Sequence, residues 1–117
     1  MNKQIVLAST QDFDEGKVKK YEVDGKDILL ARVAGKYYAV QGKCPHLGGD
    51  LSRGKLEGSV ITCPRHGSRF NVTDGSVVRW LSGGIVSAIG KAVKPPQMLK
   101  VYQTSVEGQD IMLSLER

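Results

Sequence analysis

Two short clusters hold every cysteine and every histidine of this chain: Cys44-Pro45-His46 and Cys63-Pro64-Arg65-His66. Thiolate sulfur and imidazole nitrogen together suit zinc or iron, whereas calcium and magnesium take oxygen. The C-x-H and C-x-x-H spacings put the two ligands of each pair on one tight loop. Sixteen residues, 47–62, separate the pairs. A second loop at that distance can grip the same centre from another side. Two Cys and two His can hold a single zinc tetrahedrally. They can equally hold a [2Fe–2S] cluster in which one iron takes two thiolates and the other two imidazoles. A lone disulfide would leave the paired histidines unexplained, and Cys beside His in a chain without an export signal points to metal.

Strands and turns must position these ligands. Lys17 to Val23 alternates and runs into Asp24-Gly25, a hairpin signal. Asp27 to Val33 is rich in Ile and Leu, Ala34-Gly35-Lys36 turns the chain, and Tyr37 to Val40 is a further strand. Residues 42–58 are Gly-rich and irregular. Ser59 to Thr62 reads as a strand that delivers Cys63, and Asp74-Gly75 as a turn into Val77-Val78. Leu99 to Val106 and Asp110 to Leu115 flank a third hairpin at Glu107-Gly108. Closely spaced short strands predict an all-β fold of small antiparallel sheets, sandwich-like or barrel-like. The exception is 83–94, where Ile85, Val86, Ile89, Ala92 and Val93 fall at helical spacing. A short helical segment near 84–94 is expected there, ended by Pro95-Pro96.

The bulk numbers bound the rest. A chain of 117 residues supports one domain with a real core. We therefore expect a single domain over 1–117, with a ligand-bearing subdomain at about 42–80. No apolar run approaches a membrane span. The apolar stretch Ile5-Val6-Leu7-Ala8 is too short for a signal peptide. A cytoplasmic, unanchored protein is the expectation. The net charge is +5, and residues 41–80 carry six cations against three anions. A basic rim beside the ligands could steer an acidic protein partner. Nucleic-acid binding is not expected, because there is no basic run with interleaved aromatics.

The residues around the ligands narrow the chemistry. Cys44-Pro45-His46-Leu47-Gly48-Gly49-Asp50-Leu51, then Gly54-Lys55-Leu56-Glu57-Gly58, then Cys63-Pro64-Arg65-His66-Gly67-Ser68-Arg69-Phe70 and Thr73-Asp74-Gly75 resemble the Rieske iron–sulfur family. The close resemblance covers about residues 40–78, and the flanking strands fit the three-sheet fold of that family more loosely. It implies one [2Fe–2S] cluster per chain, with Cys44 and Cys63 on one iron and His46 and His66 on the other. Two neutral imidazoles in place of two thiolates make the cluster less negative, which raises its potential to ~−150 to +300 mV, against ~−400 mV for plant-type all-Cys clusters. Gly48, Gly49 and Gly67 would let backbone amides approach the cluster sulfurs. Ser68 matches a serine that donates to a bridging sulfide. Phe70 stands where one branch of the family has a tyrosine donor. That branch also adds a cysteine to each loop and a membrane anchor, both absent from this sequence. With the serine kept and the tyrosine lost, a low-to-middle potential for such a centre is implied.

The resemblance also implies a role. All the histidines are used by the two pairs, so a mononuclear iron on two His and a carboxylate cannot be built as well. The chain is then not itself a catalytic oxygenase subunit and not an enzyme. It resembles a ferredoxin-type one-electron carrier between a reductase and a terminal partner such as an oxygenase. Two other readings compete with it: a small Rieske-like subunit of a nitrite reductase, and a structural zinc-binding interaction domain. Trp80 is read as a packing residue, and Arg65 and Arg69 as cations beside a docking face.

Overall fold

A computed structural model describes residues 2–44, 49–64, 67–79 and 98–116. Among them are ten strands, all paired antiparallel: β1 (Asn2–Ser9), β2 (Val18–Val23), β3 (Lys26–Val33), β4 (Lys36–Gln41), β5 (Lys55–Glu57), β6 (Val60–Thr62), β7 (Arg69–Asn71), β8 (Val77–Arg79), β9 (Val101–Glu107) and β10 (Asp110–Glu116). They form a six-stranded sheet in the order β1-β10-β9-β4-β3-β2 and a four-stranded sheet in the order β5-β6-β7-β8. The all-β expectation holds. The segment expected to be helical, 84–94, lies outside the described residues, as do Trp80 and Pro95-Pro96.

Two turns set the hairpins of the large sheet. Asp24 and Gly25 have φ of 51° and 77°, and Ala34 and Gly35 have 52° and 77°. Positive φ at both central positions is the geometry whose twist matches that of the strands it joins. A carboxylate supports the second turn: Glu15 accepts from the Ala34 and Gly35 backbone N–H groups at 2.6 and 2.9 Å. β9 pairs with β10 on one side and, through Ala39↔Tyr102 and Val40↔Val101, with β4 on the other. It thereby fuses two three-stranded units into one sheet.

β3 explains how two cores coexist. Ile28, Leu29, Leu30 and Ala31 are all fully buried. Alternate residues of a strand point to opposite faces. Leu29 and Ala31 therefore join Val40, Leu51, Ile61, Phe70, Val72 and Leu99 in one core. Ile28 and Leu30 join Phe13, Ala39, Tyr102, Ile111, Leu113 and Leu115 in the other. A strand buried on both sides reads as an unbroken apolar run rather than as an alternation. Burial of each Leu or Ile there contributes about 1.5–3 kcal/mol. Truncation of Leu29 or Leu30 to Ala should cost ~2–5 kcal/mol.

The four-stranded sheet lies in the stretch between β4 and β9. The two ends of that stretch are tied together. The Gln41 N–H donates to the Lys100 carbonyl at 2.9 Å, and the Lys100 N–H donates back to Gln41 Oε1 at 2.7 Å. Gln41 Nε2 also donates to the Lys43 carbonyl at 2.8 Å. One glutamine thus joins the exit of β4, the entry of β9 and the approach to Cys44. Further along, the Leu99 N–H donates to the Gly75 carbonyl at 2.8 Å, which holds the β7–β8 turn against the returning chain.

Candidate metal centre

Cys44 and Cys63 open two loops of the same size and closure. The Cys44 N–H donates to the Gly49 carbonyl at 2.7 Å, and the Cys63 N–H donates to the Ser68 carbonyl at 2.7 Å. Each bond spans five residues, so four residues lie between the closing pair in both loops. The pair below the first loop is Lys43↔Asp50, and the pair below the second is Thr62↔Arg69. Both cysteines therefore occupy one equivalent position, the first residue beyond a closed antiparallel pair. Neither cysteine is in a disulfide, both residues are 3% exposed, and both belong to the same buried cluster of side chains. Two buried thiols in one apolar core with no disulfide between them form a donor set for a soft metal centre.

The loops are held differently. The second caps the β6–β7 hairpin, which is in register from Val60↔Asn71 through Thr62↔Arg69. Inside it, the Gly67 N–H donates to the Cys63 carbonyl at 3.1 Å, and Gly67 has φ 78°, a conformation that disfavours a side chain. The Arg79 guanidinium donates to the Gly67 carbonyl at 3.1 and 3.3 Å. The first loop instead exits into a three-residue 3₁₀ turn, Leu51–Arg53, capped by Asp50. Asp50 Oδ1 accepts from the Ser52 N–H at 3.0 Å and the Ser52 hydroxyl at 2.6 Å, while Asp50 Oδ2 accepts from Lys20 Nζ of β2 at 3.2 Å. Partial burial alone would raise the Asp50 pKa. The hydrogen bonds from Ser52 and Lys20 outweigh it and hold the carboxyl below its usual range.

Gly54 sets the spacing between the two loops. A Cβ at this position would lie 1.9 Å from the Thr62 carbonyl oxygen. The backbone leaving the first loop therefore crosses directly over the residue that precedes Cys63. Only glycine permits that approach.

Of the residues singled out from the sequence, Cys44, Cys63, Gly49, Gly67 and Ser68 come together in these loops. His46, His66 and Gly48 lie outside the described residues, as does Arg65. Ser68 is fully buried, and Phe70 is fully buried in the core beneath the loop. Asp74 is the turn residue its Asp-Gly context suggested: Oδ1 accepts from the Ser76 N–H at 2.9 Å. Hydrogen bonds from the Ser76 side chain and then its backbone lower the Asp74 pKa. The sequence reading passed over Gln41, Asp50, Arg79 and the close approach at Gly54. An Asp two residues before a Ser, at the end of a ligand loop, was an available cap signal for Asp50. Gln41, Arg79 and Gly54 act on residues distant in the chain and carry no local signal.

Comparison with known proteins agrees with this geometry. The family model described as "Rieske [2Fe-2S] domain" matches residues 3–84. The ferredoxin component of the naphthalene 1,2-dioxygenase/salicylate 5-hydroxylase systems of Ralstonia sp is 34% identical over 96% of this chain and 95% of its own. The naphthalene 1,2-dioxygenase ferredoxin component of Pseudomonas aeruginosa is 33% identical over 97% and 96%. Among solved structures, the ferredoxin of carbazole 1,9a-dioxygenase from Nocardioides aromaticivorans IC177 superposes with a TM-score of 0.78 at 22% identity, covering 94% of this chain and 95% of its own. A chain from a complex of reduced oxygenase and oxidised ferredoxin in carbazole 1,9a-dioxygenase gives a TM-score of 0.76 at 25% identity, covering 93% and 99%. Two matched cysteine loops on a small antiparallel sheet, with relatives alike over nearly their whole length, lead to one conclusion: this chain belongs to the Rieske [2Fe–2S] domain family.

Proposed function

We propose that this chain is a one-electron carrier that holds one [2Fe–2S] cluster and passes electrons from a reductase to an oxygenase. Cys44 and Cys63 would bind one iron and His46 and His66 the other. The observation that most supports this is the pair of equal loops, each opening on a buried cysteine outside any disulfide. When bound, the cluster takes up and releases single electrons. The surrounding residues hold the thiols in place and keep water from them. Leu51, Ile61, Phe70, Val72 and Leu99 supply the apolar wall. Gly49, Gly67 and Ser68, with Gly48, line the loops that would wrap the cluster. Residues 1–117 act as a single domain with its cluster-binding subdomain at about 42–80.

The partner assignment rests on relatives named as ferredoxin components of dioxygenase systems and on a similar ferredoxin solved in complex with an oxygenase. No described helix is long and apolar enough to cross a membrane. A cytoplasmic location belongs to the same proposal. An EPR spectrum of the dithionite-reduced protein tests the ligand set: a centre with mixed ligands has an average g value below that of an all-Cys cluster. Metal analysis should give two irons and two sulfides per chain. Colourless, iron-free protein after anaerobic reconstitution overturns the reading. With Phe70 unable to donate a hydrogen bond, the midpoint should fall in the low-to-middle part of the family range. A value near ~+300 mV would contradict that.

A further inference from the structure

The charge of this chain is unevenly divided along its sequence. Residues 42–100, the stretch between β4 and β9, contain nine cations and three anions, a net of +6. The remaining residues contain eight cations and nine anions, a net of −1. The whole positive excess therefore belongs to the part that carries the cysteine loops.

The four-stranded sheet arranges some of this charge in a line. Lys55 pairs with Thr62, Thr62 with Arg69, and Arg69 with Arg79. These four residues form one row across all four strands, directly below the Cys63–Ser68 closure. The neighbouring row, Leu56, Ile61, Phe70 and Val77, packs into the core. Side chains alternate between faces along β5, β6 and β7, so Lys55, Thr62 and Arg69 stand on the opposite, outer face. In β8 the register shifts between the Arg69 and Phe70 pairs, and Val78 and Arg79 are both exposed there. Lys55 and Arg79 are exposed and Arg69 is partly so. Like charges across a strand pair are unfavourable; here Arg79 is held by its bonds to the Gly67 carbonyl and Arg69 by a bond from Nε to Thr62 Oγ1 at 3.2 Å. Glu57 offsets part of this at 3.3 Å from Arg69. Among the described residues no carboxylate pairs with Lys55. Arg53, at the exit of the first loop, is 83% exposed in its side chain and lies 3.9 Å from Asp50.

We infer that the Lys55–Thr62–Arg69–Arg79 row is a docking strip for a carboxylate-rich face of the redox partner. This inference rests on the electron-carrier reading above. The strip lies beside one cysteine loop, and its field would orient an acidic protein with its surface against that loop before contact. Thr62, between Lys55 and Arg69 in the row, accepts from Arg69 Nε at 3.2 Å, and the exposed Lys55 ammonium and the rest of the Arg69 guanidinium are cations that fit carboxylates. Regularly spaced phosphates would call for a longer basic track.

The test uses the reconstituted holoprotein, reduced with dithionite, and two probe proteins: cytochrome b5 as an acidic acceptor and cytochrome c as a basic one. Stopped-flow oxidation of the cluster by cytochrome b5 should slow by about tenfold between low salt and ~0.3 M salt. Oxidation by cytochrome c should not slow. Lys55→Glu should remove most of the salt dependence with cytochrome b5. Lys36→Glu, the same charge change on the six-stranded sheet, should leave it in place. Equal salt dependence with both probes, or equal effects of the two variants, overturns the inference. Binding to immobilised cytochrome b5 is measured in parallel and needs no electron. Failure to take up a cluster on reconstitution, with Lys55-dependent binding retained, would overturn the carrier reading and keep the strip. Lys55-dependent binding to a short DNA duplex at ~0.15 M salt would reassign the strip to nucleic acid.

Discussion

The two cysteine loops have the same closure and rest on different supports. Residues 63–68 cap a regular hairpin, so the placement of Cys63 follows from three consecutive backbone pairs in β6 and β7. Residues 44–49 close on the isolated Lys43↔Asp50 bridge, followed by a single hydrogen bond from the Leu51 N–H to the Gly42 carbonyl at 2.9 Å. Side chains supply the rest: Gln41 reaches the Lys43 carbonyl, and Asp50 binds Ser52 and Lys20. One loop inherits its geometry from a ladder that tolerates most sequences. The other depends on a few named polar groups. Equal geometry at the two tips therefore does not imply equal robustness, and the first loop should be the easier to disturb by mutation or by pH.

The largest expected effect is one that the two loops share. Cys44→Ser and Cys63→Ser should each reduce bound iron per chain to background and abolish visible absorption, read by metal analysis and absorption spectroscopy. If one variant kept a full cluster, the equivalence of the two positions would be wrong. Next is the contact that spaces the loops. Gly54→Ala places a methyl group 1.9 Å from the Thr62 carbonyl oxygen. It should cost about 2–3 kcal/mol of stability in a denaturant titration, with weakened cluster retention. Unchanged stability would mean that the loops are not set by this crossing.

Smaller effects should separate the loops. Asp50→Ala removes a cap and the Lys20 pair, and should destabilise by about 1–2 kcal/mol. Arg69→Ala, at the corresponding exit of the second loop, removes a partly exposed ion pair and a hydrogen bond to Thr62 Oγ1, and should cost less, about 0.5–1 kcal/mol. Urea unfolding of the two variants side by side checks the order, and a larger loss for Arg69→Ala would reverse the comparison. The smallest effect is with acid. The Asp50 carboxyl is held below its usual range, so its contribution is present above the unfolded value of about 4 and is lost as pH falls through the lower folded value. Asp50→Asn should flatten that part of the decline in melting temperature, measured between about pH 5 and 3.

Much of this was legible locally. Asp24-Gly25 and the glycine of Glu107-Gly108 announced hairpins because few residues accept positive φ; both hairpins are present, the second turning at Gly108-Gln109, one residue later than expected. The Cys and His spacing pointed to a metal loop pair for the same kind of reason, since sulfur and imidazole have few other uses in that pattern. The three-residue strands β5 and β7 went unread, the first inside a stretch taken as irregular. Three residues are too few to show a period of two. β1 also went unread: its apolar residues gave no turn or alternation to mark it, and pairing with β10 makes it a strand.

By itself, then, the order of residues determined the strand-rich class, the turns and the identity of the ligand types, because each depends on neighbours a few positions apart. Only the tertiary structure decided that Cys44 and Cys63 hold equivalent places, that Gln41 fastens the neck to Lys100, and that Lys55, Arg69 and Arg79 stand in one row. Those relations join residues up to 59 positions apart. Pairing between strands creates them, and no local preference of the chain encodes it.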